Sequence, residues 1–299
     1  MSHVEQPQHL PVMVEEVMQL LQPQRGGTYV DCTLGLGGHT RALLEGGADL
    51  VVGIDRDPRA LEMAAQALAS FGPRVRFVHA DYRDLDAVLA REQIARVDGT
   101  LADLGVSSMQ LDAPGRGFSF RRDEPLDMRM DQSQGDTCAE RLATVGEAEL
   151  ADVIYQFGEE RKSRRVARAI VAARAEHPIT TTGQLAAIVR RGVAAPGWQR
   201  IDPATRTFQA LRIWVNTELD RLDAFVRQAA TRLAEGGRLA VISFHSLEDR
   251  IVKHTLRALD RTDGLVRVLT GRPLVASDAE VALNPRARSA KLRAAERLA

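Results

Sequence analysis

Apolar residues recur at helical spacing in Val14-Glu-Glu-Val-Met-Gln-Leu-Leu21 and predict a first helix. A short strand, Thr28-Tyr-Val-Asp-Cys32, comes next, then a run of glycines and a helical stretch from His39 to Glu45. Leu50-Val-Val-Gly-Ile54 is continuously apolar, the pattern of a strand buried on both faces. Asp57-Pro58 opens another helix, with Asp as N-cap and Pro at the first helical position, and Gly72-Pro73 stops it. Val75 to His79 reads as a third strand, Asp84 to Arg91 as a short helix and Val97 to Asp103 as a fourth strand.

Strands alternating with helices at these intervals predict a parallel sheet covered on both faces. The alternation stops after Asp103. Pro114, Gly115 and Gly117 mark a loop, and helical patterns then occupy Glu147–Phe157, Glu159–Glu176 and Thr182–Arg191. After Pro203 a long helical stretch reaches Glu235-Gly236-Gly237. Arg238 to Phe244 is again a buried strand, Ser246 to about Leu259 a helix, and Val266–Leu269 and the segment around Ala290–Ala295 are candidate closing strands. The expected fold class is therefore α/β. One doubly wound domain, residues 1–112 and 208–299, is interrupted by a helical insert over 113–207.

Composition narrows the class. The 299 residues bury a sizeable core, and no apolar run approaches the roughly 18 residues that a membrane-spanning helix needs. The first ten residues lack the pattern of a secretion signal. Two cysteines, Cys32 and Cys138, make neither a disulfide framework nor a zinc site. The expectation is a cytoplasmic protein without a membrane partner or a metal. Net charge is zero but unevenly spread: Arg161 to Arg212 holds eleven basic residues against Glu176 and Asp202. Such an excess suits a polyanion, or a set of solvated helix faces. Only three of the forty basic residues are lysines, Lys162, Lys253 and Lys291. Oligomeric state leaves no mark in the pattern.

In a doubly wound sheet, ligands bind outside the carboxyl ends of the strands. The first strand ends in Asp31-Cys-Thr-Leu-Gly35-Leu-Gly37-Gly38-His39. Glycines there let a backbone approach a ligand, and the helix that follows aims its first amides at it. A dinucleotide fingerprint places a third small residue at position 40, where this chain has Thr40, which disfavours a nicotinamide dehydrogenase. An acid followed by Gly-x-Gly-Gly fits S-adenosylmethionine better, because that cofactor carries an ammonium for an acid to hold and no pyrophosphate. Asp55 ends the second strand, twenty residues after Gly35, at the spacing of a ribose-binding carboxylate. His79-Ala-Asp81-Tyr82 offers a polar group and a ring to an adenine, or a loop acid beside a core tyrosine. Asp103 ends the fourth strand, the strand end that in methyltransferases faces the methyl group and the substrate.

The chain resembles the bacterial methyltransferase family that modifies the N4 atom of a cytosine in 16S ribosomal RNA. The matching segments are His9-Leu-Pro-Val, Gly35-Leu-Gly-Gly-His-Thr40, Gly53-Ile-Asp-Arg-Asp-Pro58, Asp103-Leu-Gly-Val-Ser-Ser108, Gln110-Leu-Asp112 and Arg116-Gly-Phe-Ser-Phe120. They continue with Pro125-Leu-Asp-Met-Arg-Met-Asp131, Tyr155 with Gly158-Glu-Glu-Arg161, Pro203 to Asn216, Glu235 to Leu239, Ser243 to Arg250 and Asn284 to Ser289. The resemblance implies a Rossmann-like class I methyltransferase sheet with an inserted helical domain. It implies S-adenosyl-L-methionine as cofactor, held by Gly37, Gly38, His39, Asp55, Tyr82, Asp103 and Gln110. The Asn- or Asp-Pro-Pro-Tyr segment of many amino-methyltransferases is absent after the fourth strand.

The implied substrate is 16S ribosomal RNA, free or within the assembled small subunit, with the insert as its recognition element. Asp103 is the catalytic candidate, orienting the cofactor or the target amine; contact with cofactor alone is the competing role. Arg164, Arg165 and Arg206, and the stretch Arg286 to Arg297, are candidates for RNA phosphates. His245 touches the base or its phosphate, or serves the fold. Trp214, inside a helical pattern, reads as core, and Trp198 as core or stacking. A non-catalytic nucleic-acid-binding assembly factor needs the basic stretch but not the acids at the strand ends, and a methyltransferase acting on DNA or protein is disfavoured only by the resemblance.

Overall fold

The computed structural model describes residues 10–107, 110–111, 113–193 and 202–299. His9, Ser108, Asp112 and Trp198 lie outside the described residues. The chain divides into two compact units, Met1–Gly105 with Arg221–Ala299, and Val106–Asp220. Periodicity set the insert at 113–207; the division falls at 106 and 220.

The first unit opens with α1 (Val14–Leu21), β1 (Thr28–Asp31), α2 (Gly38–Glu45), β2 (Leu50–Asp55), α3 (Pro58–Ala67), β3 (Val75–His79), α4 (Leu85–Arg91) and β4 (Val97–Asp103). The local code works as read. Asp57 accepts a hydrogen bond from the Arg59 amide and Pro58 occupies the first turn of α3. β2 is buried along its length, because α2 and α3 cover it on a parallel sheet.

The second unit is helical: α5 (Cys138–Thr144), α6 (Glu147–Gly158), α7 (Ser163–Glu176), α8 (Thr182–Val193) and α9 (Ala204–Asn216). The hydrophobic pattern missed α5, which is short; its signal was the capping box Thr137–Glu140. The helix expected from Glu159 starts at Ser163, because Glu159 takes a left-handed conformation that ends α6. Leu142, Leu150, Ile154, Val166, Ile170, Leu185, Val189 and Phe208 form the core, and Trp214 packs partly buried against it. The Arg141 guanidinium lies 5.3 Å from the Trp214 ring centroid. Before the helices, the chain runs through a loop held by side chains. Arg116, wholly buried, donates to the carbonyls of Arg129 and Met130. The Asn216 amide donates to the Met128 carbonyl and its oxygen accepts from the Met130 amide.

The first unit resumes with α10 (Leu222–Arg232), β5 (Leu233–Ser243), α11 (Ser246–Arg261), β6 (Val266–Val268), α12 (Asp278–Leu283) and β7 (Lys291–Arg297). The long helical stretch expected after Pro203 is thus two helices, α9 and α10. Thr217 and Arg221, at φ 49° and 56°, break it in left-handed conformations that no glycine announced. β5 begins at Leu233 rather than Arg238. Leu233 pairs with Val97 and Arg238 with Gly99, so residues 234–237 bulge out of the ladder, with Gly236 at φ 71°.

The sheet order is β3-β2-β1-β4-β5-β7-β6. β1 to β5 run parallel, and β7 lies antiparallel between β5 and β6. Val17, Leu43, Val51, Leu101 and Ile242 belong to one core of this unit. The order reverses between β1 and β4, so the crevice of a doubly wound sheet opens beyond Asp31 and Asp103. Among the described residues no helix is long and apolar enough to cross a membrane.

Asn216→Ala strands the buried amide of Met130 and carbonyl of Met128. It is expected to cost about 2–4 kcal/mol, read as a lower midpoint in urea; an unchanged midpoint would show that the loop is held elsewhere.

Candidate active site

The glycine turn after β1 is shaped by a buried carboxylate. Asp31 is 1 % exposed. One of its oxygens accepts the Thr33 amide at 3.2 Å and the other the Thr40 hydroxyl at 2.8 Å. The sequence reading offered Asp31 to a cofactor ammonium; the structure corrects this, since the carboxylate is enclosed and braces the turn. Thr40, where a dinucleotide fold would have its third small residue, is the donor that makes the brace. Gly37 sits at φ 80°, and a Cβ there would come within 2.7 Å of Leu68. A Cβ on Gly38 would strike Pro11 at 2.9 Å. Both glycines are therefore demanded by packing within the protein. At Gly35 the Cβ direction is open to 3.9 Å, so this glycine is the place where the backbone can be approached. The sequence reading placed it in the turn without carrying it into the cofactor contacts.

Asp55 reaches back from β2 to hold the same turn. Its oxygens accept the amides of Gly35 at 2.8 Å and Asp57 at 2.9 Å. Burial pushes its carboxyl up to about 6, against the opposing pull of those two amides.

Asp103, at the end of β4, is the least satisfied acid. Its amide donates to the Thr33 hydroxyl at 2.6 Å, tying β4 to the turn. Oδ1 is buried without a hydrogen-bond partner, and Oδ2 lies 3.9 Å from Nδ1 of His39. The other ring nitrogen of His39, Nε2, is 2.9 Å from the Val12 carbonyl. A carbonyl only accepts, so Nε2 carries a hydrogen and Nδ1 is left facing Asp103. Burial pushes the Asp103 carboxyl up to about 7; His39 opposes the shift, and the charges of Asp31 and Glu248 add to it. A buried acceptor aimed at nothing is what a bound ammonium or amine would satisfy.

At the end of β3, Asp81 is paired with Arg83 through both oxygens, at 2.8 and 2.6 Å. Burial pushes its carboxyl up, but the Arg83 hydrogen bonds and the charges of Arg83 and Arg56 hold it below the usual range. Tyr82 meets Phe225 of α10 edge to face, with centroids 4.7 Å apart. Burial pushes its phenol well above the ordinary value.

At the end of β5, His245 is engaged by its own helix. It caps α11, its Nδ1 accepting the Glu248 amide, while Glu248 accepts the Phe244 amide at 2.9 Å. Glu248 is a buried acid that the sequence reading did not single out; the spacing His245-x-x-Glu248 was its signal.

The first unit thus gathers Gly37, Gly38, His39, Asp55, Tyr82, Asp103 and His245 at the carboxyl ends of its strands. Gln110, Arg164, Arg165 and Arg206 belong to the second unit. Gln110 is buried, its side-chain oxygen accepting the Ser107 amide while its own amide donates to the Ser107 hydroxyl. Arg164 and Arg165 are exposed on α7. Arg206, 55 % exposed, lies 3.6 Å from the buried carboxylate of Glu160.

Residues 6–298 match the model of the MraW methylase family. The chain belongs to this family. Membership makes it a methylase with S-adenosylmethionine as cofactor, and its sheet is the Rossmann-like sheet of class I methyltransferases. It is 53 % identical over 291 residues to "Ribosomal RNA small subunit methyltransferase H" of Sorangium cellulosum, covering 97 % of this chain and 91 % of that one. It is 52 % identical over 311 residues to the protein of the same name from Syntrophotalea carbinolica, covering 97 % and 98 %. A solved rRNA methylase from Streptococcus thermophilus superposes over 100 % of both chains at 13 % identity and a TM-score of 0.43, too distant to carry an argument.

The raised carboxyls set a pH dependence. Folded methylase binds more protons than the unfolded chain between the ordinary Asp value and about 7, so this contribution to stability is present in acid and lost as pH rises through about 7. Asp103→Asn in cofactor-free protein is expected to melt above wild type at pH 8, with the gap closing toward pH 5. A gap independent of pH would contradict an ionisable, poorly solvated Asp103.

Proposed function

We propose that this methylase transfers a methyl group from S-adenosylmethionine to the exocyclic N4 amine of a cytosine in small-subunit (16S) ribosomal RNA, in the cytoplasm. The observation that carries the chemistry is Asp103, a partly buried carboxylate whose Oδ1 is enclosed without a partner beside the glycine turn. The name of relatives that match along 97 % of the chain supports the substrate.

S-adenosylmethionine supplies an electrophilic methyl group on a sulfonium. Gly37, Gly38, His39, Asp55, Tyr82, Asp103 and Gln110 hold it in this reading, with Gly35 added for its open approach. Asp55 would offer a carboxylate to ribose hydroxyls, and Asp103 would stand at the reacting end. The cytosine amine is a poor nucleophile because its lone pair is delocalised into the ring. The protein must therefore fix its orientation and take the proton it releases. A carboxyl held near neutrality accepts that proton without being tied up by a permanent partner. The base has to leave its stack to reach Asp103. Arg164, Arg165 and Arg206 of the helical insert contact RNA phosphates; His245, already serving as a cap, contributes to the wall that receives the base.

Asp103→Asn is expected to lower the rate of methylation on the order of 10²–10⁴-fold, measured by mass spectrometry of 16S RNA incubated with protein and cofactor. Cofactor affinity measured separately divides orientation of the cofactor from proton acceptance. Unchanged turnover would sink the catalytic role, and unmethylated cytosine with the wild-type protein would sink the substrate.

Reversing charge at Arg164 and Arg165 should weaken RNA binding and flatten its dependence on salt by about 0.7 per lost phosphate contact in a log–log plot. Identical salt slopes would place the RNA on another surface.

A further inference from the structure

One cationic cluster lies on the sheet unit. Asp249, in the first turn of α11, is buried, and Arg293 of β7 holds both its oxygens, Nε at 2.6 Å and Nη2 at 3.3 Å. Arg293 is itself buried, so this pair is complete as a structural link between helix and sheet. Lys291 nevertheless brings a second cation to the same carboxylate, its Nζ 3.7 Å from Oδ2 with the side chain 38 % exposed. Lys253 stands one helical turn along α11 from Asp249, on the same face. Burial pushes the Asp249 carboxyl up, yet Arg293, Lys291 and Lys253 together hold it below the usual range. Three cations on one carboxylate leave two positive charges in excess. In a chain with only three lysines among forty basic residues, two of them meet here.

The register fixes where this charge lies. Asp103 pairs with Ile242, Ile242 with Leu292, and Ser243 with Lys291. Lys291 therefore stands on the same carboxyl edge of the sheet as Asp103, two strands away, with the backbones about 10 Å apart at the usual strand spacing and the side chain leaving from the opposite face, over the strand ends. That span is comparable with the reach from the reacting edge of a nucleotide to its own phosphate. An ammonium is a compact point charge that suits a phosphate oxygen and needs no bidentate geometry.

We propose that Lys291 and Lys253 form a phosphodiester subsite on the methyltransferase unit, gripping the RNA backbone next to the nucleotide whose base reaches Asp103. The inference rests on the RNA reading above and adds a contact outside the helical insert. Arg293 is the positioning residue: by neutralising Asp249 it frees both lysines for the ligand.

The test uses the full-length protein and a fluorescein-labelled single-stranded oligoribonucleotide spanning the methylated cytosine, with affinity followed against salt. Lys291→Gln and the double variant Lys291→Gln with Lys253→Gln should bind roughly 3–10-fold more weakly at low salt and lose about 0.7 and about 1.4 of the salt slope. Lys291→Arg should restore most of the slope, while thermal stability and affinity for S-adenosylmethionine stay at wild-type values. A probe whose phosphodiester flanking the cytosine is replaced by a neutral methylphosphonate should erase the difference between wild type and Lys291→Gln. Wild-type affinity and slope in both lysine variants would overturn the subsite and leave the RNA reading standing. Failure of the wild-type protein to bind the probe would overturn both. A lysine variant that binds more weakly with an unchanged slope, or that also melts earlier, would make the cluster structural and overturn the proposal.

Discussion

Enclosing Asp31 governs the geometry of the whole candidate site. A carboxylate at 1 % exposure is tolerable only if its oxygens are hydrogen-bonded, and the Thr33 amide and the Thr40 hydroxyl do this. Those two bonds fold the glycine turn back over the end of β1 and begin α2 where its first amides face the crevice. Thr33 then receives the Asp103 amide, and Gly35 donates to Asp55. One enclosed acid thereby sets the relation of three strand ends, and the two acids that remain accessible, Asp55 and Asp103, take their places from it.

The same arrangement explains why the acids behave differently although all end strands of one sheet. Asp81 has a guanidinium on both oxygens and stays ionised readily. Asp31 has two neutral donors and no exposure. Asp103 has one oxygen near a histidine and one with no partner, so burial works against its ionisation and leaves room for a new ligand. A methylase acting on an amine needs such a group, because a carboxylate already saturated with arginine would have no reason to take a proton.

Positive charge is distributed over both units. The exposed arginines of α7 belong to the helical unit, and the surplus lysines around Asp249 belong to the sheet. In the proposed reading the methyl acceptor is a base attached to a charged backbone. In that reading, cations on the sheet unit and on the insert both position the RNA backbone, as phosphate contacts do.

Much of this was legible along the chain. Asp57-Pro58, the buried run Leu50–Ile54 and the acids at strand ends are local signals with local causes, and they determined a parallel α/β sheet with its ligand edge. Family segments such as Gly35–Thr40 and Asp103–Ser108 carried the chemistry. Tertiary structure decided the rest, because it depends on partners distant in sequence. The left-handed Thr217 and Arg221 end a helix that periodicity would continue, since the chain must leave one unit and enter the other there. Asp31 looks like a ligand acid until Thr40 closes on it, and the capping role of His245 shows only once Glu248 lies in the first turn of α11. The stretch Arg286 to Arg297 was legible as basic, but the place of Lys291 was not: only the antiparallel register of β7 against β5 brings it to the edge where Asp103 ends.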